Sequence, residues 1–409
     1  MNSKLATRPS PLRRLQGLRH RAHRLRGAVR QLRAAAYERP HLRAFQEFHA
    51  ALPEKRDVVY MFFTGNLLHW LSRALSFVPP EVNVVLLGAA LTPEERAWVT
   101  ATGRPCHFLA ERFDDNTVLD FIFATTQHNF AWLHIDCFVL EPRLFGEMMT
   151  FGPDDALNTI WVHPGPPATL HSAFVAVHYA VLAAIRARGI ETSPCTYHYS
   201  GAPAGRTVTA RPLYSRVPTG RHLELLRTIG ADDEVPPYPV GDCFEILELY
   251  QLTANALGYR LHPVRRMRRD GTAAAEHYSN EILHVNGVST YRRYKNAAAG
   301  KSYIDNQEYQ LLLQADYAML TAMSGTMPPQ YRQLRAELER EVAELGVDPS
   351  HVARNLTGYL MSRGISAENC ARILSPGSPA SPGFPASPAP SRPPEPAAAP
   401  PAPPAAPFA

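Results

Sequence analysis

Between residues 57 and 140, short β-rich apolar runs alternate with segments of helical periodicity. DVVYMFF (57–63) stops at Thr64-Gly65, and NLLHWLSRAL (66–75) then carries its apolar residues at helical spacing. VNVVLLG (82–88) predicts a second strand. LTPEERAWV (91–99) predicts a second helix, with Thr92 as cap, Pro93 at the first position and Glu95 completing a capping box. PCHFLA (105–110), DDNTVLDFIFATTQ (114–127) and NFAWLHIDCFVL (129–140) continue as strand, helix and strand. Parallel strands need long crossover connections, usually helical. The expected fold class is therefore α/β, with a mixed, mainly parallel sheet covered by helices. Ligands of such sheets bind outside the C-terminal ends of the strands.

The second half is less regular. Residues 170–188 (LHSAFVAVHYAVLAAIRAR) predict a helix closed by Gly189, and residues 242–257 (DCFEILELYQLTANAL) another closed by Gly258. NEILHV (280–285) predicts a strand. Residues 303–374 are expected to form an α-helical C-terminal extension, interrupted near Gly325, Pro328 and Gly346. The expected divisions are an arm (1–54), a ligand-binding α/β domain (55–302), the helical extension (303–374) and a tail (375–409).

The net charge of +5 is unevenly placed, because residues 1–36 hold ten Lys and Arg and no acid. Leu12, Leu15, Leu18, Leu25, Val29 and Leu32 lie at helical spacing among those arginines. Such a basic amphipathic helix either packs on the body through its leucines or binds an anionic membrane surface. Nucleic acid is not expected as a partner, since the body adds no basic field. Residues 375–409 are almost wholly Pro, Ala and Ser and hold 14 of the 38 prolines, so a disordered tail is expected.

The five cysteines form no CxxC pair, which fits reduced thiols and a cytoplasmic protein, peripheral to a membrane if the arm binds one. The apolar runs fall short of the ~20 residues of a membrane-spanning helix. The chain has no GxxxxGK[ST], no GxGxxG after the first strand and no GxSxG, which argues against a kinase, a dinucleotide oxidoreductase and an α/β-hydrolase. His163, His171 and His178 lack HExxH spacing, which argues against a zinc hydrolase.

The fourth strand delivers Asp136 among Trp132, Leu133, Ile135, Phe138 and Val139. A buried carboxylate is costly unless it is hydrogen-bonded, paired or bound to a metal. Asp136 is thus either a structural carboxylate at a strand end or a metal ligand. Together with Val139, Pro142, Leu144 and Phe145, it resembles the Asp-x-Asp strand end of glycosyltransferases with the Rossmann-like A-type fold, with His134 in place of the first Asp. Further on, a Gly-Tyr after an acidic helix (Gly258-Tyr259) and His284-x-x-Gly287-x-Ser289 resemble the second half of family-2-like members.

The resemblance implies a metal-dependent transfer of a sugar from a nucleoside-diphosphate sugar to an acceptor hydroxyl, with inversion. Asp136 and His284 would hold Mn²⁺ or Mg²⁺. His134 and Ser289 would lie at the donor diphosphate, with Lys301, Arg292 and Arg293 as further basic candidates. Thr64, Asp114 and Asp115, after the first and third strands, would meet the nucleoside. Asp242 or Glu245, at i and i+3 of the acidic helix, would be the general base, with Glu248 continuing that face. His134 in place of Asp also motivates an alternative, a catalytically silent binding or scaffold protein with the same fold.

Overall fold

The computed structural model describes residues 38–110, 113, 115–163, 168–190, 192, 197–198, 225, 228, 243–244, 246–265, 267–268, 273–289, 306–323 and 327–375. Residues 1–36 of the arm and 376–409 of the tail, with what was expected of them, lie outside that set.

Helix α1 (38–50) leads into four parallel strands, β1 (Val58–Thr64), β2 (Val84–Ala89), β3 (Cys106–Leu109) and β4 (Phe130–Leu133). Helices α2 (Leu68–Leu75), α3 (Pro93–Thr100) and α4 (Asp115–Thr125) are the crossovers. The capping box is formed: Thr92 Oγ1 accepts from the Glu95 N–H, and the Glu95 carboxylate accepts from the Thr92 N–H. β1 and β2 are apolar without alternation because both faces of the sheet are covered. Val59, Met61 and Phe63 enter one core, and Val58, Tyr60 and Phe62 the other.

After β4 the chain forms β5 (Cys137–Val139), α5 (Leu144–Met148), β6 (Asp155–Thr159), the short strands β7 (Val162–His163) and β8 (Thr169–Leu170), β9 (Phe174–Val177) and α6 (Tyr179–Ala187). The helix expected over 170–188 is therefore only its second half. Phe174–Val177 is instead an interior strand, antiparallel to both β4 and β6. A short all-apolar run carries no periodicity that separates a buried strand from a buried helix. Here the open hydrogen-bonding edges of β4 and β6 decide it.

The two-residue strands β10 (Tyr197–His198) and β11 (Cys243–Phe244) pair with each other. Helix α7 (Glu248–Ala256) follows, and Gly258, at φ 91°, closes it. The helix expected from 242 thus opens only at Glu248, and Glu248 is buried. Strand β12 (Arg260–Pro263) pairs in parallel with β6 and completes a seven-stranded sheet of order β12-β6-β9-β4-β1-β2-β3. A second sheet consists of the hairpin β13 (His277–Ser279) and β14 (Ile282–His284) laid against β5.

Helices α8 (Asn306–Thr321), α9 (Pro329–Glu344), α10 (Val352–Ser362) and α11 (Ala367–Leu374) complete the described chain. They share a core with one face of the large sheet through Leu312, Leu320, Tyr331, Leu338 and Ile373. Polar contacts fix the docking. Asp316 of α8 pairs with His69 and accepts from Trp70 Nε1 at 2.8 Å. Tyr331 of α9 donates to Glu95 at 2.7 Å and accepts the Leu68 N–H at 3.0 Å. Arg73 donates to the carbonyls of Ala322, Arg372 and Ser375. No described helix is long and apolar enough to cross a membrane.

Asp316→Ala strands two buried donors of α2. It is expected to cost about 3 kcal/mol in denaturant unfolding, against under 1 kcal/mol for an exposed control such as Glu339→Ala.

Candidate active site

The order of the large sheet reverses at β1, since β2 and β3 continue to one side and β4 pairs on the other. The crevice that such a reversal opens lies beyond the C-terminal ends of β1 and β4. Thr64 ends β1, half-buried, and His134 follows β4. Asp115 is the first residue of α4, after β3 on the same edge, and Asp114 lies outside the described residues.

Local backbone bonds place Asp136. The His134 N–H donates to the Ala173 carbonyl, and the Cys137 N–H turns back to the His134 carbonyl at 3.1 Å. The chain thereby leaves the large sheet at His134 and enters the small one at Cys137. There β14 lies opposite β5 with His284 as the register partner of Cys137, and the Val285 N–H donates to the Asp136 carbonyl at 2.9 Å. Residues far apart in sequence are so brought side by side.

Asp136 is 8% exposed and His284 2%. Asp136 Oδ1 lies 3.8 Å from His284 Nε2 and 3.9 Å from His134 Nδ1. Both separations are too long for hydrogen bonds. Behind His284, its Nδ1 lies 3.4 Å from Glu276 Oε2, and His171 Nε2 lies 3.6 Å from the same oxygen. The His171 and His284 rings are 5.0 Å apart.

The electrostatics follow from burial. Desolvation pushes the Asp136 carboxyl up to about 7, and the Glu276 charge adds to this. Burial, then the neighbouring His284 and His171, hold His134 well below the usual imidazole range. Burial alone would raise the Glu276 carboxyl, but the His171 and His284 imidazoles that face it at 3.6 and 3.4 Å outweigh burial and hold Glu276 low.

His134, Asp136 and His284 offer one ligand atom each, all within 4.8 Å of one another, and His134 Nε2 is buried without a hydrogen-bond partner. A carboxylate with two imidazoles fits a divalent cation, Mn²⁺ better than Mg²⁺, which prefers oxygen.

Ser289 is exposed and follows a turn at Gly287, whose φ of 82° suits glycine. Asp242, Glu245, Arg292, Arg293 and Lys301 lie outside the described residues. Sequence reasoning missed Glu276 and set His171 aside. The signal for Glu276 was HYSNEILH, a tight hairpin that returns His284 to the level of residues 276–277.

Residues 35–185 match the family model described as the StrH glycosyltransferase N-terminal domain. The chain is 23% identical over 358 residues to the dTDP-dihydrostreptose–streptidine-6-phosphate dihydrostreptosyltransferase of Streptomyces griseus, covering 78% of this chain and 90% of that one. Solved structures overlap more loosely. The glycosyltransferase GlyE of Streptococcus pneumoniae TIGR4 is 10% identical at a TM-score of 0.26, over 33% of this chain and 37% of GlyE. The galactosyltransferase LgtC, in complex with donor and acceptor sugar analogues, is 11% identical at a TM-score of 0.29, over 68% of this chain and 99% of LgtC. Glycosyltransferase is the enzyme class that the family match and the curated relative indicate for this chain.

The raised Asp136 carboxyl sets a pH dependence in metal-free protein. The folded state binds that proton more tightly than the unfolded one, so its contribution favours folding at low pH and is lost as pH rises through about 7. Asp136→Asn is expected to raise the Tm of chelator-treated protein at pH 8, with the difference closing towards pH 4. Mn²⁺ is expected to raise the Tm of the wild type and not of the variant. Equal Mn²⁺ shifts in both would make Asp136 a structural carboxylate.

Proposed function

We propose that the protein transfers a sugar from a nucleoside-diphosphate sugar to an acceptor hydroxyl, with inversion, at a divalent-metal site held by Asp136 and His284. The observation that carries this is their convergence, with His134, beside the crevice of the sheet. The match of residues 35–185 to a glycosyltransferase domain supports it. The curated relative is named for a dTDP-sugar donor and a phosphorylated acceptor, so a dTDP-sugar is the first donor to test.

A divalent cation bound there would supply Lewis-acid neutralisation of the charge that builds on the departing diphosphate. The chain's own residues would do the rest. Thr64 and Asp115, with Asp114, would meet the nucleoside at the strand ends, while His134 and Ser289 would border the diphosphate. Asp242 or Glu245 would take the acceptor proton as its oxygen bonds to the anomeric carbon and the bond from that carbon to the diphosphate breaks. Residues 1–36 are the proposed contact with an anionic membrane surface.

Calorimetry with a nucleoside diphosphate, with and without Mn²⁺, tests the site. Asp136→Ala and His284→Ala are each expected to weaken metal-dependent binding and lower turnover by ~10²-fold or more, non-additively in the double variant. His134→Asp should preserve or strengthen metal binding. A folded Asp136→Ala protein with unchanged metal-dependent affinity would sink the proposed site. A wild type that binds neither nucleotide nor metal would be a silent scaffold.

The base is tested separately. One of Asp242→Asn and Glu245→Gln should lower kcat by ~10²- to 10⁴-fold while leaving nucleotide affinity intact. Full activity in both would move the base elsewhere.

A further inference from the structure

Two groups of metal-ligating side chains share His284: His134, Asp136 and His284 on one side, and His171, Glu276 and His284 on the other. They look alike by residue type. Their hydrogen-bonding capacity separates them.

In the second group, the backbone N–H of Ala173 donates to His171 Nδ1 at 3.2 Å. That nitrogen is therefore the acceptor of the ring, and in the neutral ring the proton sits on Nε2, the atom facing Glu276 Oε2 at 3.6 Å. The same carboxylate oxygen faces His284 Nδ1 at 3.4 Å. A carboxylate only accepts, so a carboxylate opposite Nδ1 favours the Nδ1–H tautomer of His284, which leaves Nε2 without the proton. The Nε2 lone pair then points to the side of Asp136, 3.8 Å away. Backbone geometry holds the arrangement, since the Glu276 N–H donates to the His284 carbonyl at 3.0 Å and the Thr159 hydroxyl to the His171 carbonyl. Glu276 is itself buried, 7% exposed.

We infer that Glu276 is a positioning residue: it fixes His284 as the Nδ1–H tautomer, aims Nε2 at the Asp136 side, and is itself held from behind by His171. The group around Glu276 is thus a support for the first group and not a second metal site. This rests on the metal reading of Asp136 and His284 only for its consequence, because the tautomer is defined without a metal.

The test has two arms on the full-length protein. In ¹⁵N-histidine-labelled, chelator-treated protein, the His284 signals, assigned by their loss in His284→Gln, should report Nδ1–H and an unprotonated Nε2. In Glu276→Gln, the amide offers one acceptor and one donor where two N–H groups converge, so His284 should lose the preference for Nδ1–H. Its Mn²⁺ affinity, measured by calorimetry without nucleotide, should fall by ~10- to 100-fold. Glu276→Asp keeps a carboxylate and should restore the tautomer at least in part.

A wild-type His284 protonated on Nε2 would overturn the inference whatever any variant does. So would a folded Glu276→Gln protein with the wild-type tautomer. If the protein binds no Mn²⁺ and yet His284 holds the Nδ1–H tautomer in wild type and loses it in Glu276→Gln, the positioning role stands and the metal site falls.

Discussion

Everything at the candidate site depends on one constraint, that the carboxylate of Asp136 is buried and, among the described residues, has no Lys or Arg side chain paired with it. The His134 and His284 imidazoles face it from beyond hydrogen-bonding distance, and a backbone hydrogen bond of its own residue offsets only part of the cost of burial. Desolvation makes a buried carboxylate resist ionisation, which is why its proton is held up to about 7. Compare Asp155, also buried, which pairs with Arg260 at 3.0 Å and accepts the Gly152 N–H. That carboxylate has a counter-charge from the chain itself, and the pair ties β12 to β6. Among the described residues Asp136 has no guanidinium or ammonium in that position, only two imidazoles at 3.8 and 3.9 Å, and this separates a candidate ligand from a structural acid.

The architecture around it keeps that carboxylate rigid. Two sheets meet at the turn from His134 to Cys137, so Asp136 is pinned from the β4 side and the β14 side at once. Trp70 stacks on Phe138 with ring centroids 6.0 Å apart and planes 4° off parallel. Trp70 in turn donates to Asp316 of α8. This aromatic pair is one link between the C-terminal helices and the small sheet, and Asn369, which donates to the Asn280 carbonyl of the hairpin, is another. A site built on strand ends with such backing holds its geometry better than one built on loops.

How much of this was legible in the sequence can be judged residue by residue. The first half was readable because its strands are short, β-rich and bounded by Gly, Pro and a capping box, so that local signals and the tertiary fold agree. Asp136 and His284 were legible through motif resemblance, and the structure brings them together. Phe174–Val177 was not legible, because its state is set by two strand edges that no local window contains. Nor was the start of α7, where Leu247 adopts φ 66° although the acid-rich apolar run from 242 has the pattern of one helix. Glu276 escaped because its role exists only across a hairpin, where the fold places it beside His284.

The limit of the family match adds a last point about how the site is composed. Residues 35–185 include β1 to β4, β9 and the turn that carries His134 and Asp136, as well as His171. His284 and Glu276 lie beyond it, on a hairpin reached only after β10, β11, α7 and β12. The matched segment therefore builds the crevice and supplies the carboxylate and the His134 imidazole, but not the second imidazole, His284, or the acid beside it. β14 closes the gap by backbone pairing with β5, a strand inside the matched segment. The two parts of the chain are joined at the atoms where a cation would bind, so the geometry of the site depends on the second half being docked. The helices that seal the core over this hairpin, through Leu283, Leu356 and Ile373, are then part of what defines the site, although they contribute no polar group to it.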